Sequence, residues 1–287
     1  MESTESAEIK HYWSHKRYAI SPPRTWVEMV KNTIRSRDLI WHLFVRDFIM
    51  SHKRSFIGIS WVIFAPLVGI VSWVFLRQAG LLQPGDLDIP YPVYVLIGTS
   101  IWGLYMDFYH GASNTLTAGS SFVSQINYHH EALLVEKALL QLANFAIVFA
   151  LNIVVMLIFG VVPPWTIIFF PLLLIPLFLL GSAVGLFSSL LSVVGVDFKN
   201  ILDILMGLTL WITPVIYSHK FDSEIIQTLI PWNPLTYLIS SARDIIIYGR
   251  LYEPTGYFIS CGLALALFLF SARFFYISEN RIVEKII

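Results

Sequence analysis

Long apolar runs, parted by short polar breaks, occupy most of this chain and restrict it to folds that live in lipid. Six of them lie near Phe56–Leu76, Tyr91–Tyr109, Leu139–Val162, Ile167–Leu191, Ile201–Tyr217 and Tyr257–Tyr276. As helices rising ~1.5 Å per residue, each is about long enough to cross ~30 Å of hydrocarbon. The expected fold is therefore all-α and integral to the membrane, with six transmembrane helices. Composition agrees: 56% of residues are hydrophobic, 13% are charged and the net charge is +0. A soluble chain usually carries about twice that charged share. The neutral balance offers nothing to nucleic acid. Cys261, the one cysteine, lies inside the last run, so no intrachain disulfide can form. The mostly polar stretch before Phe56 is not the pattern of a cleavable signal peptide.

Charge sets the orientation. With a cytoplasmic N-terminus, the inner side holds Lys10, Lys16, Arg17, Arg24, Lys31, Arg35, Arg37, Arg46, Lys53, Arg54, Lys137, Lys199, Arg273, Arg281 and Lys285. The outer side keeps Arg77, Lys220, Arg243 and Arg250. That asymmetry places both termini in the cytoplasm. Residues Leu235–Tyr248 test it, because a seventh span there would send the C-terminus outside. Arg243 and Asp244 at mid-bilayer would cost about 2.5–3.5 kcal/mol each. Pro231 and Pro234 also interrupt the helix. Two short re-entrant helices in the outer loop, Ser223–Ile230 and Pro234–Tyr248, are favoured over a true span.

Three segments follow: a cytoplasmic stretch over 1–33, an interfacial helix over 34–52 and a six-span body over 53–287. The interfacial helix carries Arg35, Asp38, His42 and Arg46 on one stripe, with Leu43, Phe44, Phe48 and Ile49 opposite. Such a helix lies among the headgroups, either as a plain anchor or as a docking element. Between the second and third spans, Phe122–Leu134 predicts a short amphipathic cytoplasmic helix. Its His129–His130 pair lacks the further ligands that a metal needs and is read as solvated or docking.

No Walker loop, His-Glu-x-x-His or Gly-x-Ser-x-Gly occurs, so catalysis and nucleotide binding by this chain are not expected. No ionisable group is clearly central in a span, as a proton-coupled carrier requires. Aromatics are frequent instead, at 15%. Trp61, Phe64, Trp73, Trp102, Tyr105, Tyr109, Trp211 and Tyr217 either serve as an interfacial belt or line a substrate path. Aromatic faces suit the C–H faces of sugar rings.

The ordered motifs Val45-Arg-Asp-Phe, Lys53-Arg-Ser-Phe-Ile-Gly-Ile-Ser-Trp61, Tyr91-Pro, Gly98…Trp102, Asn114, His130-Glu-Ala-Leu-Leu, Val196-Asp-Phe-Lys199, Trp211-Ile-Thr-Pro-Val-Ile-Tyr217, Pro231-Trp-Asn-Pro-Leu-Thr-Tyr237 and Ala242-Arg-Asp244 span Asp38 to Ser271. In this order they resemble the membrane (permease) subunit of ABC-2-type exporters. The branch is the one that exports O-antigen, capsular polysaccharide and teichoic acid. The resemblance implies a gate helix at Ile34–Met50, with Arg46, Lys53 and Arg54 near a pyrophosphate headgroup. It implies a coupling helix built from Ser124, Gln125, Asn127, Tyr128, His129, His130 and Glu131. The re-entrant pair would contain Trp232, Asn233, Arg243 and Asp244. His129–His130 replaces the Pro-Arg or Pro-His common in that family. The implied partners are a separate ABC ATPase that binds ATP and Mg, a second copy of this chain in a 2+2 complex, and undecaprenyl-pyrophosphate-linked polysaccharide in membrane lipid. The implied location is a bacterial cytoplasmic (inner) membrane. A drug or lipid efflux permease of the same type is the alternative.

Overall fold

A computed structural model describes residues 21–53, 58, 60–115, 130–218 and 224–286. Every regular element among the described residues is helical. In chain order these are α1 (Pro22–Arg35), α2 (Arg37–Lys53), α3 (Ser60–Gln78), α4 (Tyr91–Ser113), α5 (His130–Ile158), a 3₁₀ turn at Trp165–Phe169, and α6 (Phe170–Val194). Then come α7 (Val196–Ile212), α8 (Glu224–Leu229), a second 3₁₀ turn at Ile230–Trp232, α9 (Pro234–Ile247) and α10 (Pro254–Ile286).

Four stretches are long and apolar enough to cross a membrane: Ser60–Gln78, Glu131–Ile158, Trp165–Val193 and Pro254–Ser278. The second and fifth expected spans coincide with α4 and α7, which are less apolar or shorter. Most of α4 is buried, so it needs no lipid-facing coat. It packs against α3, α5, α6 and α9. Glycines on α6 permit the closest approach, since a Cβ at Gly181 would sit 3.0 Å from the Tyr105 carbonyl. One at Gly185 would collide with the Tyr109 carbonyl. Small residues at four-residue spacing let two helix backbones meet in this way.

The fifth run departs from expectation. Its helix begins at Val196, after an extended Gly195, and ends at Ile212 instead of reaching Tyr217. Pro214 lacks an N–H and disfavours helix at the residue before it. The following residues, Thr213–Ser218, are non-helical yet buried. Irregular backbone at such depth is tolerated only when protein encloses it. By contrast, Pro234–Ile247 forms a helix of 14 residues almost wholly buried. At about 21 Å it is too short to span. It packs on α4, α6 and α10.

The N-terminal region also differs. Pro22–Arg35, assigned no structure from sequence, is a helix begun by Pro at its first turn. Its Trp26 Nε1 donates to the Leu269 carbonyl of α10 at 3.2 Å. A bend at Ser36 separates it from α2, which starts at Arg37 and not at Ile34.

Candidate functional site

At the junction of α4, α9 and the end of α7 sits a buried cation. Arg243, 1% exposed in α9, donates from a terminal nitrogen to the Pro214 carbonyl at 2.8 Å. Its guanidinium lies 4.0 Å from the Tyr94 ring centroid, and its Nε is 3.6 Å from the Asp244 carboxylate. Arg suits this position because its flat group stacks and donates together. Tyr94 in turn donates its hydroxyl to the Tyr217 carbonyl at 2.8 Å. Asn233 caps α9 by accepting from Leu235 N at 3.0 Å and donates to Thr213 Oγ1 at 2.8 Å. Gly98 faces the same junction, where a Cβ would strike the Val215 carbonyl. The start and middle of α9, the end of α7 and the first turns of α4 thus form one polar joint. Trp232 stands apart from it, 85% exposed.

The aromatic candidates fall into two groups. Trp61, Phe64 and Trp211 are exposed on α3 and α7, and neither helix buries any residue. Trp73 meets Trp211 edge to face at 6.1 Å, and Trp102 Nε1 donates to Thr209 Oγ1 at 3.4 Å. Tyr105, Tyr109 and Tyr217 are buried, with their hydroxyls engaged. Tyr105 points to Met206 Sδ at 3.6 Å, and Tyr217 donates to the Trp211 carbonyl at 2.8 Å. Tyr109 donates to Asp203 at 2.7 Å and lies 3.3 Å from Ser188 Oγ. Tyr105 and Tyr109 thus fasten α7 to α4, whereas Tyr217 folds back on the end of α7.

At the α2–α5 junction a second cluster forms. Lys137 Nζ donates to Asp47 Oδ2 at 2.8 Å and lies 3.2 Å from Glu136. Arg46 Nε donates to Asp47 Oδ1 at 2.7 Å. Burial alone would raise the Asp47 pKa, but hydrogen bonds from Arg46 and Lys137 outweigh it and hold the carboxyl below its ordinary value. Lys53 is exposed at the end of α2, and Glu131 is buried in the first turn of α5. Arg54, Ser124, Gln125, Asn127, Tyr128 and His129 lie outside the described residues, as does the side chain of His130. Sequence reasoning missed Tyr94 and Asp47–Lys137. Residues 90 positions apart in the chain leave no local signal of such a pair.

No protein-family model matches the chain. A protein of Myxococcus xanthus named O-antigen export system permease protein RfbA is 20% identical over 263 residues, covering 91% of this chain and 100% of that protein. A protein of Klebsiella pneumoniae with the same name is 20% identical over 233 residues, covering 80% of this chain and 88% of its own length. A second Klebsiella pneumoniae protein so named is 20% identical over 222 residues, 75% of this chain and 83% of that protein. With several membrane-length apolar helices, these likenesses mark a multi-pass integral membrane protein. Taken along nearly the whole chain, they support the resemblance to ABC-2-type O-antigen permeases that the ordered motifs carry.

Proposed function

We propose that this chain is the transmembrane, channel-forming subunit of an ATP-driven exporter that moves lipid-linked polysaccharide across a bacterial cytoplasmic membrane. Six spans (α3, α4, α5, α6, α7 and α10) would form the body, with both termini inside and α8–α9 re-entrant from the outer face. The observation that carries the reading is likeness, over most of the chain, to relatives named for O-antigen export. The chain carries no Walker loop, so ATP and Mg belong to a separate ABC ATPase. The coupling segment before α5, which lies outside the described residues, would seat on that partner.

The exposed apolar faces of α3 and α7 favour a homodimer, since a second copy would cover them and close a conduit walled by Trp61, Phe64, Trp73, Trp102 and Trp211. Arg46, Lys53 and Arg54 would meet the pyrophosphate of the undecaprenyl carrier as it approaches from the inner leaflet. The chain makes and breaks no covalent bond in this scheme.

Deleting the chain in its host tests the reading. Surface polysaccharide should disappear and lipid-linked polymer should accumulate inside, with recovery on complementation. Replacing Arg46, Lys53 and Arg54 together with Ala should reduce surface polymer while co-purification of the ATPase persists. Unchanged surface polysaccharide in the deletion strain would rule out export of this kind, and drug sensitivity without glycan loss would favour efflux.

A further inference from the structure

A groove of about 460 Å³ lies between α3, α4 and α5 and shares Trp73 alone with the aromatic path. On α4 Trp102, Tyr105 and Tyr109 turn toward α7, whereas Ser100, Gly103 and Asp107 line the groove. They recur at three and four residues, so one helical face carries them. Gln141 and Asn144 do the same on α5 and stand across from them. Amides and a carboxylate within apolar helices are costly unless they meet polar partners. Here the Asn144 Oδ1 is buried without a hydrogen-bond partner among the described residues. One turn or two beyond, Asn152 accepts from Ser100 Oγ at 3.2 Å, leaving its own Nδ2 unpartnered.

The rest of the wall is apolar and aromatic, including Trp73 and Phe145. Gly69 on α3 and Gly103 on α4 both line the space, and a Cβ at either would meet nothing within 4 Å. Because α3 buries no residue, the groove opens beside a helix that the rest of the chain grips lightly.

We propose that this groove binds a sugar ring carried on a lipid. A ring presents hydroxyls at its edge and C–H bonds on its faces, and this wall offers carboxylate, amide and hydroxyl partners beside an indole. The volume falls within the range of small-molecule sites, and a few polar groups in an apolar wall are their usual make-up. A bound metal would need several converging ligands, and no cluster of three acidic, His or Cys side chains exists among the described residues. The lipid tails would remain in the bilayer past α3. The assignment rests on the exporter reading and deepens it by placing a glycan-recognition site beside the conduit, with Trp73 between the two.

The test uses the full-length chain in phosphatidylcholine nanodiscs carrying either glucosyl-diacylglycerol or diacylglycerol, with retained lipid counted by native mass spectrometry. Wild type should retain the glucosyl lipid about ten-fold more strongly. Gly103→Phe, which fills the space without touching a polar group, and Asp107→Leu should each fall to the diacylglycerol level. Leu208→Ala, on the exposed face of α7, should retain the sugar lipid like wild type. Equal retention of the two lipids by wild type would overturn the proposal whatever the variants do. Full retention by folded Gly103→Phe would also overturn it, as would displacement by free maltose from the water as readily as by glucosyl lipid. Sugar-selective retention alongside unchanged surface polysaccharide in the deletion strain would remove the exporter reading and leave the groove intact.

Discussion

Two pairs of helices show opposite strategies. The inner pair, α4 and α9, is mostly buried and keeps its polar side chains, such as Ser100, Arg243 and Asp244, inside the protein. The outer pair, α3 and α7, buries nothing: α3 is strongly apolar, while α7 carries Asp197, Lys199, Asn200 and Asp203 in its first half. In water that relation would be inverted, because hydrophobic surface would be driven inside. In lipid the apolar helices can face the solvent, and the interior is where hydrogen bonds must be completed. Apolarity therefore reports contact with lipid or with a second copy, while polarity within a span marks the places where the chain is fixed to itself. The inner pair forms a polar joint, α7 is tied to α4 through Tyr109–Asp203 and Trp102–Thr209, and α3 is left to be covered.

The sharpest way to break this comparison is at Arg243. Arg243→Met should destabilise the chain by about 3–5 kcal/mol, because Asp244 and the Pro214 carbonyl lose their buried partner. Thermal melting in detergent would register it, and Arg243→Met with Asp244→Leu should recover part of the loss. An unchanged melt for the single variant would mean the joint is not rigid. Next in size, Gly98→Ala pushes a Cβ into the Val215 carbonyl and should cost about 1–3 kcal/mol in the same assay.

Smaller effects belong to the latch between α2 and α5. Asp47→Asn should cost up to about 1 kcal/mol, as expected of a partly exposed ion pair. The Asp47 carboxyl is depressed below its ordinary value of 3.8, so its contribution is complete above that value and fades as pH falls through the lower folded pKa. Wild-type melting should thus show no Asp47-dependent change down to about pH 5. The least effect is expected on α3, where Phe75→Ala should shift stability by no more than about 0.5 kcal/mol. A large loss there in the isolated chain would show that α3 is gripped tightly, contrary to its lack of buried residues.

Much of the architecture was legible because lipid imposes one rule along the whole chain. Each of the six apolar runs lies largely on a helix, and Pro234 with Asn233 marks the start of α9 to the residue. The end of α7 was less legible: Ile212 to Tyr217 stays apolar, and hydropathy does not register the break that Pro214 makes. Helix α1 was missed because its apolar face is narrow, although Pro22–Pro23 and the spacing of Thr25, Met29 and Asn32 signal it. The polar spacings in α4 and α5 are visible as sequence. That Ser100 and Asp107 face Gln141 and Asn144 follows only from how the two helices are rotated against each other. The same holds for Tyr94 over Arg243, a contact no local pattern encodes.

Transport by purified components tests the central claim most directly. Proteoliposomes would contain this chain with its ATPase and a fluorescent polysaccharide on a pyrophosphate-linked polyprenyl lipid. The account predicts that ATP carries the glycan to the protected side, and that omitting the ATPase or replacing ATP with a non-hydrolysable analogue abolishes movement. Glycan transfer by this chain alone, at the rate of the complete system, would contradict it.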